Sequence, residues 1–232
     1  MGWRVGLIDS CGGWPGALGT AAFISVGNRV ECREPVPDPT GHGSRIAGAL
    51  LRDRPVELLL GQVFTTVAPT TGAAVAAAVD WAVAGRANLL HLSLGLAADR
   101  PVLAAAIARA IGTGCIVVAS SPARGAPVYP AAYPGVIRAT GDARCAPGEV
   151  SCLGRGLFGG CPRLDDVPTG VAGGGDSVGG ASTGAAWVTW SILGGGAPAA
   201  ASDVIERLTA TARHHGRERR STPSFRSFIE SH

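Results

Sequence analysis

Three residues far apart in the chain, Asp9, His42 and Ser182, have the types and settings needed to do chemistry together. Ser182 follows the small-residue run Val178-Gly179-Gly180-Ala181 and precedes an apolar stretch, Ala185 to Leu193, closed by Gly194-Gly195-Gly196. Loop, hydroxyl residue, apolar run and glycine stop form the pattern of a helix N-terminus. Free N–H groups and the positive end of the helix dipole there favour a developing negative charge. Asp9 ends the short apolar run Val5-Gly6-Leu7-Ile8, and His42 lies between Gly41 and Gly43 at the start of an apolar helical segment. An alcohol, an imidazole and a carboxylate are the groups of nucleophilic acyl transfer. The imidazole takes the hydroxyl proton, the carboxylate orients the imidazole, and N–H donors receive the oxyanion. Each residue also has a plainer reading. Ser182 alone reads as an N-cap, the usual role of serine at a helix start, and a lone histidine is most often an ordinary surface or core residue.

The elements that must bring these residues together follow from apolar periodicity. Short apolar runs predict strands at 5–8, 23–26, 56–60, 88–94, 115–119 and 136–139. Longer runs predict helices over Arg45–Leu51 with His42 at its entry, over 72–84, from about 101 to 111, from the Ser182 region to Leu193, and over 202–213. Residues 35–39 are broken by prolines, and 141–180, rich in Gly, Pro and Cys, read as long loops with one strand near Val167–Val171. Strands alternating with helices imply βαβ units, hence an α/β fold with a mainly parallel central sheet covered by helices on both faces. Sites in such sheets form beyond the carboxyl ends of the strands, where Asp9, Ser93 and Ser120 fall. The carboxylate at the end of the first strand, in place of a glycine-rich turn, argues against dinucleotide binding.

Composition narrows the partners. The 232 residues are 46% hydrophobic, enough for one domain of ordinary size without metal or disulfide staples. All 20 basic residues are arginine, a bias that points to a GC-rich bacterial genome, and a net charge of +3 gives no case for nucleic acid. There is no membrane-length apolar run, and the first residues lack a signal-peptide core, so the sequence predicts a cytoplasmic protein. The 6 cysteines are then expected as reduced thiols. Cys145, Cys152 and Cys161 lack the spacing of a metal knuckle, and no metal or other cofactor is expected. Abundant glycine and alanine with few aromatics predict elements packed closely over small side chains.

Several runs in order across residues 5 to 190 resemble the subtilisin-like (S8) serine proteases. Val5-Gly6-Leu7-Ile8-Asp9-Ser10 is similar to that family's Asp motif. Gly41-His42-Gly43-Ser44-Arg45-Ile46-Ala47-Gly48 is similar to its His motif, with Ser44 for the usual Thr and Arg45 for the usual His. Gly180-Ala181-Ser182 matches its Gly-x-Ser. His91-Leu92-Ser93-Leu94-Gly95 resembles the strand that pairs with substrate, and Tyr129 to Ile137 resembles the Tyr-Pro segment after the oxyanion strand. The resemblance implies a three-layer sandwich and a peptidase domain over 1–213; residues 214–232, basic and then semi-apolar, read from their own composition as a solvated, frayed tail. The resemblance also implies Ser182 as nucleophile, His42 as base and Asp9 as its orienting acid, with Ser93, Leu94 and Gly95 holding an extended peptide.

Two departures stand out. The run Ala119-Ser120-Ser121-Pro122-Ala123 lacks the family's oxyanion asparagine, whose position falls on Ala123 or its neighbour: either Ser120 or Ser121 replaces that donor, or the Ser182 N–H works nearly alone, or the enzyme is slow. Gly184 and Ala186 replace an alanine and a proline after the nucleophile, which predicts a looser helix start. The short chain and altered oxyanion run resemble the leader-processing subtilisin-like proteases that serve quinohemoprotein amine dehydrogenase biogenesis. The expected substrate is a peptide or protein precursor, cut narrowly, with other maturation proteins as further partners and neither nucleic acid nor membrane. The competing expectation is a subtilisin-like fold of little or no activity that only binds a peptide. An α/β-hydrolase esterase fails on order, because there the serine comes first.

Overall fold

The computed structural model describes residues 2–66, 69–164, 180–196 and 200–218. In chain order the elements are β1 (Trp3–Asp9), β2 (Gly19–Val26), β3 (Arg29–Arg33), α1 (His42–Leu51), β4 (Val56–Gln62), α2 (Gly72–Ala84), β5 (Leu89–Leu92) and α3 (Pro101–Gly112). They continue with β6 (Ile116–Ser120), β7 (Ile137–Gly141), β8 (Val150–Gly154), β9 (Leu157–Gly160), α4 (Ala181–Leu193), α5 (Ala201–Thr211) and β10 (His214–His215). The strands form one sheet in the order β10-β8-β9-β7-β6-β5-β1-β4-β2-β3. Its centre, β9-β7-β6-β5-β1-β4-β2, is parallel throughout, and the pairs β2–β3 and β8–β9 are antiparallel.

Strand alternation divides the core in two. Val5 and Leu7 of β1, Leu89 of β5, Ile116 and Val118 of β6 and Ile137 of β7 pack against α1, α4 and α5. Ile8, Leu90, Leu92, Val117 and Ala119 point the other way, onto α2 and α3. Each fully buried Leu or Ile contributes roughly 1.5–3 kcal/mol of hydrophobic stabilisation. The result is the three-layer α/β sandwich that alternating strands and helices predict. The parity has a further consequence: odd-numbered residues of β1 and β5 and even-numbered residues of β6 face α1 and α4.

Three elements depart from the sequence reading. β3 is an edge strand, and its polar sequence Arg-Val-Glu-Cys-Arg gives no apolar alternation to detect. The β8–β9 hairpin lies within the stretch expected as loops, where glycine and cysteine obscure the period. His214–His215 pair with Ser151 and Cys152 of β8 rather than continuing as free chain. The strand expected near Val167–Val171 and the tail from residue 219 lie outside the described residues. All 6 cysteines are unpaired thiols.

Candidate active site

β1 delivers Asp9 to the carboxyl edge of the sheet on the α1 face, with the residue only 1% exposed. Its Oδ1 lies 2.8 Å from Nδ1 of His42 and accepts the Ser10 N–H at 2.6 Å. His42 opens α1, whose N-cap Gly41 holds φ at 68°, a left-handed conformation suited to glycine. Its side chain is 27% exposed, so one edge of the ring is buried on Asp9 while the group still meets solvent. Burial works against the charged imidazole, but the Asp9 hydrogen bond and the charges of Asp9 and Asp38 outweigh it and raise the His42 pKa.

Asp38 is the organiser of this helix start that the sequence reading passed over. Its Oδ1 accepts the N–H groups of Thr40 and Gly41, and its Oδ2 accepts both the N–H and the hydroxyl of Ser44, at 2.8 and 2.7 Å. Burial opposes ionisation of Asp38, yet these donors hold its carboxyl below the usual range. Ser10 completes the anchoring, since its Oγ accepts the Gly43 N–H at 2.9 Å. The Asp-Pro-Thr-Gly run carried the signal as a turn with a capping acid.

On the same face α4 packs beside α1 and carries Ser182 in its first turn. The N-cap is Gly180, at φ 91°, with no side-chain cap bond, so the plain N-cap role for Ser182 does not hold. The Ser182 hydroxyl instead donates to the carbonyl of Ser93 at 3.4 Å. Behind that contact lies a fully buried imidazole. His91 Nδ1 is 2.8 Å from Thr189 Oγ1 of α4, and its Nε2 is 3.1 Å from Ser93 Oγ. Burial, with a smaller effect of the His42 charge, pushes the His91 pKa down to about 3, so this ring is neutral and ties α4 to the segment after β5. The structure therefore brings Asp9 and His42 into direct contact and sets Ser182 against Ser93 on the same face.

β5 stops at Leu92, so Ser93, Leu94 and Gly95 extend beyond it rather than forming a strand. Leu96 then pairs with Tyr129 through N–H to carbonyl bonds of 2.7 and 2.9 Å. The two oxyanion candidates separate by parity. Ser120, the last residue of β6, shares the face of Ile116 and Val118, and its buried hydroxyl has no partner among the described residues. A buried donor without an acceptor demands an explanation. The N–H of Ser121 is taken by the Ala139 carbonyl at 2.7 Å, and its side chain belongs to the other face of the strand.

Comparison with solved structures places this architecture. A serine-to-alanine mutant of the protease domain of PatA superposes with a TM-score of 0.60 at 17% identity, over 82% of this chain and 78% of that one. The fold is that of a subtilisin-like protease domain. The prenylagaramide maturation protease PagA gives 0.56 at 18% identity, over 82% of this chain and 73% of that one. A lanthipeptide protease gives 0.64 at 17% identity, over 88% and 78%. By sequence, the subtilisin-like protease het-Q2 of Podospora anserina is 36% identical over 126 residues, 50% of this chain. The chain covers 32% of the length of that relative. No protein-family model matches the chain. Among the described residues no helix is long and apolar enough to cross a membrane.

Proposed function

We propose that this subtilisin-like domain is a serine endopeptidase that cuts a leader peptide from a precursor with narrow specificity. The observation that carries the reading is the 2.8 Å bond between Asp9 and His42 at the sheet edge to which α4 brings Ser182. In this mechanism His42 Nε2 takes the Ser182 proton as Oγ bonds to the scissile carbonyl carbon. The carbonyl oxygen becomes an oxyanion held by the Ser182 N–H and the Ser120 hydroxyl. The imidazolium, stabilised by Asp9, gives its proton to the departing amine nitrogen as the C–N bond breaks, and water then releases the acyl group by the reverse sequence. The substrate lies along Ser93-Leu94-Gly95 by main-chain pairing.

Precursor cleavage is supported by the structural neighbours, one of which is a maturation protease and another a lanthipeptide protease. On this reading the chain works in the cytoplasm beside other maturation proteins. The second reading, a peptide-binding module without activity, is favoured by the run 119–123, which lacks the asparagine donor that the resemblance leads one to expect at Ala123 or its neighbour. A fluorophosphonate probe separates the two. Labelling of the native chain and none of Ser182→Ala supports the hydrolase. A native chain that stays unlabelled while still binding its peptide would establish the binding module.

A further inference from the structure

A cavity of about 180 Å³ opens directly after Ser120, between Ser121 and Val128, and Arg124, Arg138 and Arg217 line it. Among the described residues no carboxylate lines it. The three arginines come from three separate segments: the 121–128 loop, β7 and the stretch after β10. Its volume falls below the usual 300 Å³ of a small-molecule pocket and suits one side chain. A neighbouring cavity shares Arg124 and Arg217 and does hold acids, Asp142 and Glu218. Asp142 is already committed, taking bonds from Arg144 at 2.7 Å and from Ser151 at 2.6 Å. Arg138 has given one N–H to the Arg155 carbonyl at 2.9 Å.

The cavity adjoins the line a substrate would follow. Val128, at its far end, packs so tightly on Gly95 that a Cβ there would lie 2.9 Å from the valine side chain. Tyr129, the next residue, is bonded to Leu96. The wall of the cavity is thus joined to the Ser93–Gly95 segment, whose Ser93 carbonyl meets the Ser182 hydroxyl. Ser121 follows Ser120 directly, so a residue whose carbonyl sits at Ser182 and Ser120 would lie beside the loop that lines the cavity. We propose that this cavity selects an acidic side chain, Glu or Asp, on the residue whose carbonyl is attacked. The inference rests on the endopeptidase reading and adds its substrate class. Arginine suits the task because its planar fork pairs with a carboxylate through two parallel N–H bonds.

The test compares quenched peptides that differ only in Glu or Gln before the scissile bond. The native chain is expected to cut the Glu peptide with kcat/KM about tenfold higher, the value of one partly exposed charge-assisted contact. Arg124→Glu should abolish or reverse that preference, and Arg124→Lys, which keeps the charge but not the planar fork, should retain part of it. Equal rates on the two peptides with Ser182 labelled would overturn the acidic pocket and leave the hydrolase standing. If Ser182 is unlabelled and nothing is cut, the endopeptidase reading fails. Binding of the two peptides to Ser182→Ala, read by fluorescence anisotropy, then decides: tighter binding of the Glu peptide upholds the cavity, and equal binding sinks it.

Discussion

His91 makes a quantitative prediction about acid stability. Its ring is fully buried and bonded to Thr189 and Ser93, with its pKa lowered from 6.5 to about 3. An unfolded chain therefore binds a proton at this residue below about pH 6.5 while the folded chain refuses it. The sign follows: the unfolded state holds more protons in this window, so stability is fully present above pH 6.5 and is lost as pH falls toward 3. Between about pH 7.5 and pH 5 the loss amounts to about 2 kcal/mol from this one ring. His42 acts in the opposite sense, because its pKa is raised, and its stabilisation is present below 6.5 and fades as pH rises through its folded value. A comparison of the native chain with His91→Gln at both pH values cancels His42 and the carboxylates. Urea midpoints, at unchanged m-value, should show the native chain losing about 2 kcal/mol more on acidification than the variant. The variant should also be less stable at pH 7.5, because Thr189 and Ser93 lose a buried partner worth about 1–3 kcal/mol each when left unsatisfied. Parallel pH dependence in the two proteins would refute the buried neutral imidazole.

The other expected outcomes concern the reaction. Asp9→Asn should lower kcat by roughly 10⁴, as loss of the orienting acid does in other triads; it should also move the acidic limb of the kcat/KM profile downward, since Asp9 is the partner that raises the His42 pKa. Ser120→Ala should cost roughly 10²–10³ in kcat, the range known for the side-chain oxyanion donor of subtilisin. Ser121→Ala should change kcat less than about twofold, because that side chain lies on the other face; the reverse order would refute the parity argument. Gly184→Ala should lower the thermal midpoint by an amount equivalent to about 1–3 kcal/mol, an overpacking penalty, because its Cβ would fall 2.0 Å from the Thr140 carbonyl oxygen.

What could be read from the sequence was local. β1, β5 and β6 announce themselves as apolar runs with sharp ends, so the residues at their carboxyl ends, Asp9, Ser93 and Ser120, could be placed before any coordinates. The His42 and Ser182 settings were equally local, a glycine-flanked helix start in each case. Features depending on pairing between distant segments stayed hidden. The His91–Thr189 bond spans 98 residues, and neither residue belongs to a recognisable pair. The choice between Ser120 and Ser121 needed the strand's parity, which a one-residue error in register would have inverted. The β8–β9 hairpin carries a bulge between Cys152 and Gly154, and such an interruption erases the two-residue period on which a strand is recognised.

Close backbone approach explains why so glycine-rich a chain can hold a precise site. A Cβ on Gly43 would lie 2.3 Å from the backbone nitrogen of Cys11, and one on Gly184 would lie 2.0 Å from the Thr140 oxygen. The helices that carry His42 and Ser182 therefore rest on the main chain itself, just after β1 and at the end of β7, with no side-chain layer between. The looser helix start expected from Gly184 is reversed by this contact: the missing methyl lets α4 descend onto the sheet. Main chain offers fewer alternative packings than interleaved side chains, and small residues lose little rotamer freedom on burial. His91 then locks α4 laterally to the Ser93 segment, while Asp38 and Ser10 fix the first turn of α1. His42 and Ser182 are thus positioned by separate supports, one built on the end of β1 and the other on the ends of β5 and β7. A change that loosens one support should displace its own side chain and leave the other in place.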